Sequence, residues 1–247
     1  VRSDNGAATL EKFEELVDDA TRLVSVAWVS HQNGYTHDLQ ALASLAHAHG
    51  AYLYTDAIQG IGMLPLDVRE TGVDFLTAGT YKWLLGGYGV APFFVRSELL
   101  DTIEPDRSGS LNIAQELPDF HFELHDDARK YLYATPAFGA IYQLGAALDY
   151  LLDVGVANIE RHTVALAHRL HYGLTIQGHQ LLTPPENGSA IVLFEHNHDP
   201  ETVRQSLEKA AVQVTLREEG VQIRVGAALF NNENEIDQFL EITDGWR

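Results

Sequence analysis

Cysteine is absent from the 247 residues. That excludes disulfides and any chemistry needing a thiolate on this chain. Basic residues are scarce: 16 Lys and Arg stand against 35 Asp and Glu, for a formal net charge of −19. Such a chain repels nucleic acid and anionic membrane surfaces. Lysine is rarer still, at Lys12, Lys82, Lys130 and Lys209 only. Low lysine with excess acid suits a high-salt setting, and a well-solvated surface is the plainer reading. No apolar run reaches membrane-spanning length, because charges, Gly or Pro interrupt each one. Val1 to Gly6 lack the basic-then-apolar pattern of a secretory signal, so a cytoplasmic location is expected. Twelve histidines are present without an H-E-x-x-H or Cys/His spacing, so no metal is expected. No G-x-G-x-x-G follows a first strand, which argues against a nicotinamide dinucleotide enzyme.

What is present is a soluble globular composition, 45% hydrophobic and 21% charged, long enough for one large domain or two unequal ones. Periodicity predicts a short acidic helix over 10–20 and a buried strand over 23–29. A helix over 39–49 opens at Asp38 as an N-cap and closes at Gly50. Strands follow over 51–55, 73–78 and 90–95. Alternating strand and helix indicates parallel βαβ units, whose ligands lie beyond the carboxyl ends of the strands. Residues 101–130 lack clear periodicity and read as a long irregular connection. Helices over 137–152 and 156–172 lead into a second alternation, with strands over 190–195, 212–216 and 222–225 and helices over 200–210 and 233–242. The fold class is therefore α/β, with a large unit over 1–154 and a smaller C-terminal α/β unit over 155–247.

Three polar residues stand in apolar surroundings: Asp56 at a strand end, Gln59 three residues on, and Lys82 between Tyr81 and Trp83. Taken singly, each has an ordinary explanation. An Asp at a strand end caps or turns, a Lys beside Trp lies along a ring, and a Gln after a strand is loop. Together they supply what pyridoxal 5′-phosphate (PLP) chemistry needs. An amine forms a Schiff base, a carboxylate keeps a pyridine nitrogen protonated, and a donor tunes the ring hydroxyl.

The run Tyr54-Thr55-Asp56-Ala57-Ile58-Gln59-Gly60-Ile61-Gly62, with Pro65-Leu66-Asp67-Val68, Gly72-Val73-Asp74-Phe75-Leu76 and Tyr81-Lys82-Trp83-Leu84-Leu85-Gly86, resembles the cofactor signature of class V aminotransferases. The likeness is strongest to the isopenicillin-N-epimerase-like branch of a family that also holds cysteine desulfurases and kynureninase-like enzymes. It extends to Ile223-Arg224-Val225 and Phe230-Asn231-Asn232 near the end. The resemblance implies a PLP-dependent transferase fold, mostly parallel in its large domain. It implies that Lys82 carries the cofactor, Asp56 faces the pyridine nitrogen and Gln59 the ring hydroxyl. Arg224 would bind the substrate carboxylate. Thr135, in Ala134-Thr135-Pro136, would reach the cofactor phosphate of a neighbouring subunit, which implies a homodimer with shared sites. His31 falls where the family often has an Asn near the ring, and Asn33 in the same segment is a candidate substrate contact.

The chain also departs from the pattern. Many relatives hold phosphate with Ser and His three and one residues before the lysine, where this chain has Gly79 and Tyr81, leaving Thr80 or Tyr81 to supply a hydroxyl. No Cys stands near Leu216-Arg217-Glu218-Glu219-Gly220, where desulfurases carry their nucleophile. Val1 to Glu15 resembles the middle of the family's large domain, so a longer parent protein is expected. The function implied is a PLP enzyme acting on an amino acid by transamination, epimerisation or C–S/β-elimination, not a Cys-dependent desulfurase. The alternative is a non-catalytic piece or degenerate homologue serving as a structural or binding module.

Overall fold

The computed structural model describes Val1 and residues 6–185 and 187–246, so the Arg2–Asn5 part of the N-terminal segment read above lies outside the described residues. The first helix, α1 (Leu10–Glu14), is shorter than the expected 10–20. The reason is local. The Asp18 carboxylate accepts from Ala20 N, Thr21 N and the Thr21 hydroxyl, a competing turn that the backbone takes instead of helix. Strand β1 (Leu23–Ala27) then leads through a loop to α2 (Leu39–Ala48). Asp38 caps α2 by accepting from Ala41 N at 3.0 Å. Leu39, Leu42, Ala43 and Ala46 form its buried face at helical spacing.

β2 (Tyr52–Asp56), α3 (Val68–Thr71), β3 (Phe75–Thr77) and β4 (Phe93–Val95) complete the first sheet, in the order β1-β2-β3-β4. β1, β2 and β3 are parallel, and β4 closes the edge antiparallel. Register is decisive here. Ala27 pairs with Asp56, and Asp56 pairs with Thr77. The three parallel strands therefore end in one row, and the loops that follow them leave from the same edge. Those loops carry His31, Gln59 and Lys82.

The stretch expected to be irregular contains a small hairpin, β5 (Ile113–Glu116) with β6 (Phe122–Leu124). Its strands are mostly exposed on both faces, so no hydrophobic alternation marked them. Buried Asn112 organises the segment, donating to Arg107 O and Lys130 O and accepting from Gly109 N.

Helices α4 (Phe138–Val154) and α5 (Val156–Gln177) meet at Gly155 and lead to a second sheet. It comprises β7 (Gln180–Leu181), β8 (Ile191–Glu195), β9 (Thr215–Arg217) and β10 (Gln222–Gly226), ordered β7-β8-β10-β9 and antiparallel throughout. Short β7 has too few residues to leave a periodic signal. α6 (Pro200–Lys209) lies between β8 and β9, and α7 (Glu233–Asp244) follows β10. One face of this sheet, with Phe194, Val192 and Ile223, is buried against Leu166, Leu170 and Leu174 of α5 and Ile236 and Phe239 of α7. Strand alternation turns Arg224, Thr215, Arg217, Gln222 and Glu195 to the other face.

A polar seam joins the two sheets. Thr183 Oγ1 donates to Asn33 O at 2.6 Å, and Ser189 Oγ donates to Gly34 O at 2.7 Å. Gly34 has φ +80°, and a Cβ there would stand 2.5 Å from Ile191 O, so only glycine fits the seam. Among the described residues no helix is long and apolar enough to cross a membrane.

Candidate active site

The loop bearing Lys82 is shaped by its own backbone. Gly86 N donates to Thr80 O at 2.8 Å, and Leu85 N to Lys82 O at 3.0 Å. Leu85 is left-handed, with φ 53°. Gly62, at φ +90°, allows the Trp83 carbonyl to pass: a Cβ there would lie 2.6 Å from Trp83 O. The chain is thus folded tightly on both sides of Lys82, and the amine emerges half-buried beside Asp56 and Arg224.

Burial holds the Lys82 amine below its usual range, the Arg224 guanidinium pushes it further down, and Asp56 opposes both. The neutral, nucleophilic amine is therefore more accessible near neutral pH than on a surface lysine. His31 is lowered as well, first by burial, then by the charges of Arg217, Arg224 and Lys82, against Asp56. Its imidazole is neutral at pH 7 and can accept a proton. His31 lies within electrostatic reach of Asp56, Lys82, Arg217 and Arg224, which places the five groups in one neighbourhood.

Asp56 orients its carboxylate by accepting from Ile58 N at 2.9 Å through one oxygen. Gln59 is buried, and its Oε1 accepts from Trp83 Nε1 at 3.0 Å. Indole can only donate, so the amide oxygen must face Trp83, which leaves the Gln59 Nε2 donors directed elsewhere. Gln59 and Trp83 line a cavity of about 460 Å³ with Gln213, Thr215 and Arg224 from the second sheet. Arg224 spans the seam. Its Nη1 donates to His31 O at 2.5 Å and its Nη2 to Thr215 Oγ1 at 3.0 Å. Burial lowers the Arg224 pKa, and the Arg217 charge adds to it.

The structure thus brings together Lys82, Asp56, Gln59, Arg224 and His31. It commits two other expected site residues elsewhere. Asn33 is 2% exposed. Its Nδ2 donates to Gly6 O and Leu182 O, and its Oδ1 accepts from Tyr35 N. Both ends of the amide tie backbone segments together, so Asn33 is a structural residue of the seam and not a substrate contact. Thr80 is fully buried, with its hydroxyl donating to Gly87 O at 2.6 Å and Val90 O at 3.0 Å. That hydroxyl fastens the lysine loop and is not available to a phosphate. Tyr81 stacks on Tyr88 with ring centroids 4.6 Å apart, on the exposed side of the loop. Thr135 is exposed ahead of α4.

Sequence reasoning passed over Arg217 and Trp83. Arg217 could have been found from its alternation with Thr215 and its pairing across from the Arg224 strand. Trp83 was noticed only as the neighbour of the lysine.

The sequence model of the Aminotransferase class-V family matches residues 2–239, and the chain belongs to that family. Class V aminotransferases use pyridoxal 5′-phosphate. The chain is 38% identical over 162 residues to an uncharacterized aminotransferase of Bacillus subtilis, covering 66% of this chain and 43% of that protein. It is 30% identical over 230 residues to a cysteine desulfurase of Haloferax volcanii, covering 90% of this chain and 50% of that protein. It spans about half the length of these two curated relatives. Its fold is that of the apo cysteine desulfurase from Thermococcus onnurineus NA1, with TM-score 0.89 and 23% identity over 99% of this chain and 64% of that one.

The donor set fits PLP at its ring and carbonyl ends. An amine of lowered pKa, a carboxylate and an outward-facing amide converge where that group would need them. For the phosphate end, Thr80 supplies nothing.

Proposed function

We propose that the protein to which this chain belongs is a PLP-dependent enzyme acting on an amino acid, with Lys82 holding the cofactor. The single observation that carries this reading is the convergence of Lys82, Asp56, Gln59 and Arg224 from two sheets at one site. When bound, the cofactor supplies an electron sink for a carbanion at the substrate's Cα. The residues of this chain do the rest. The Lys82 amine would hold the cofactor through its carbonyl, helped by its lowered pKa. Asp56 would hold the ring nitrogen and its proton. Gln59, whose oxygen is held by Trp83, would offer its amide N–H to the ring hydroxyl. Arg224 receives the substrate carboxylate, for which its planar fork is suited. Lys82 Nζ and the neutral His31 imidazole are the bases available to move the proton at Cα.

Several relatives are named cysteine desulfurases. Persulfide formation on a cysteine is not available to these 247 residues, which contain none. Transamination, epimerisation and elimination all fit the same residues. Tyr81 is retained as a phosphate-side candidate through its free surface position. Thr135 is exposed, as a residue reaching into a second subunit would be, and supports a homodimer with shared sites.

The test is visible absorbance. Full-length protein incubated with PLP and then freed of unbound cofactor should be yellow, and Lys82→Ala treated the same way should be colourless while melting like the parent. Parent protein that is colourless once free PLP is removed overturns the reading.

A further inference from the structure

Arg217 lies on the same face of the second sheet as Arg224 and has no side-chain partner among the described residues. Register places Thr215 opposite Arg224, and Arg217 lies two residues on, so it is the diagonal neighbour of Arg224 on the same face. Such diagonal neighbours are about 7–8 Å apart, within reach of two arginine side chains. Among the described residues Arg217 makes no side-chain hydrogen bond or ion pair, and Arg224 contacts only a carbonyl and a hydroxyl. Glu195, the carboxylate on this face, accepts from Gln222 Nε2 at 2.7 Å. Glu218 and Glu219 are exposed on left-handed backbone and form no ion pair with Arg217 among the described residues.

Acidic residues outnumber basic ones 35 to 16, and several arginines take a carboxylate: Arg169 meets Asp237, Arg96 meets Asp74, and Arg129 meets Asp127. Two adjacent guanidinium groups repel, and burial of Arg224 makes that repulsion costlier. An arrangement in which neither meets a carboxylate among the described residues, with Arg224 and Thr215 lining a cavity of about 460 Å³, suits anionic groups on a ligand.

We propose that Arg217 and Arg224 select a substrate with two carboxylates, an amino diacid such as aspartate or glutamate. Arg224 takes one carboxylate and Arg217 the other. This deepens the function proposed above and rests on Arg224 being the carboxylate receptor.

The test uses full-length protein with and without PLP. Calorimetry compares succinate with butyrate, which differ by one carboxylate, and absorbance titrations of the PLP-bound protein compare L-aspartate and L-glutamate with L-alanine. The diacids should bind about tenfold or more tightly than their monocarboxylate counterparts, the range of a charge-assisted hydrogen-bonded pair. Arg217→Ala should abolish that preference and leave butyrate and alanine unchanged, and Arg217→Lys should restore part of it. Equal weakening of mono- and diacids by Arg217→Ala overturns the proposal, because both arginines would then serve one carboxylate. Absence of any diacid preference in the parent also overturns it. The succinate measurement does not depend on bound PLP, so failure of the cofactor reading shows itself separately, as colourless protein.

Discussion

Asp74 and Lys82 are eight residues apart in sequence, and both are ionisable groups in the first sheet's neighbourhood, but their surroundings are opposite. Asp74 is 1% exposed and fully provided for. It accepts from Leu53 N at 2.7 Å and Arg96 Nη1 at 3.1 Å, and pairs with His47 Nε2 at 2.8 Å. It knots α2, β2 and the end of β4 into one unit. Lys82 has no such bond, and its charge is disfavoured by burial and by Arg224. A cluster whose donors and acceptors match one another stabilises the fold and has nothing left for a ligand. A cluster of unmatched charges costs stability and is ready to bind. The Arg217–Arg224 pair belongs with Lys82, and the Asn33 amide with Asp74.

Substitutions can break this comparison. The largest effect is Lys82→Ala, which should remove cofactor attachment entirely. Stability should be unchanged or slightly higher. The folded-state pKa of Lys82 lies below its unfolded value, so the charged amine opposes folding at neutral pH. The penalty is fully present below the folded pKa and disappears above the unfolded one. Thermal melts at pH 7 read the sign, and a large loss of stability would contradict the contrast.

Asp74→Ala should do the reverse. It leaves Leu53 N without a partner and Arg96 without its buried anion, for a loss of about 3 kcal/mol in denaturant unfolding. Cofactor colour should persist under native conditions. Trp83→Phe is milder. It removes the hydrogen bond that turns the Gln59 amide, so cofactor affinity should fall about fivefold, the value of one such bond. The absorbance maximum should shift, a signature that packing alone would not give.

Smallest is Arg224→Gln, read through pH. Arg224 depresses the Lys82 pKa, so its removal raises that pKa and reduces the neutral amine present at a given pH. The pH midpoint for PLP capture in the absence of substrate should move upward. No movement would mean that burial alone, and not the Arg224 charge, lowers the Lys82 amine.

Much of the first sheet was legible in the sequence. Asp38 and Gly50 bracket α2 as helix stop signals should, and alternation of strand and helix announced parallel pairing. Local signals failed where a side chain competed with the backbone, at Asp18, and where strands face water on both sides, in the 113–124 hairpin. Of the residues expected at the site, Lys82, Asp56, Gln59 and Arg224 lie near one another in the structure. Residue chemistry misled at Asn33 and Thr80, because an amide or hydroxyl looks the same in a sequence whether it meets a ligand or a carbonyl.

The sequence alone determined most of the helices and parallel strands of the first sheet, that no thiol chemistry is possible on these residues, and which family signature surrounds Lys82. Those are local properties, set by composition, spacing and periodicity. Only the tertiary structure decided which polar groups are already satisfied. It aligned Ala27, Asp56 and Thr77 in one row, brought Arg224 to the His31 carbonyl across 193 positions of chain, and left Arg217 without an ion pair among the described residues. Hydrogen-bond satisfaction depends on partners distant in sequence, and it separates the residues that hold this fold from those left open to a ligand.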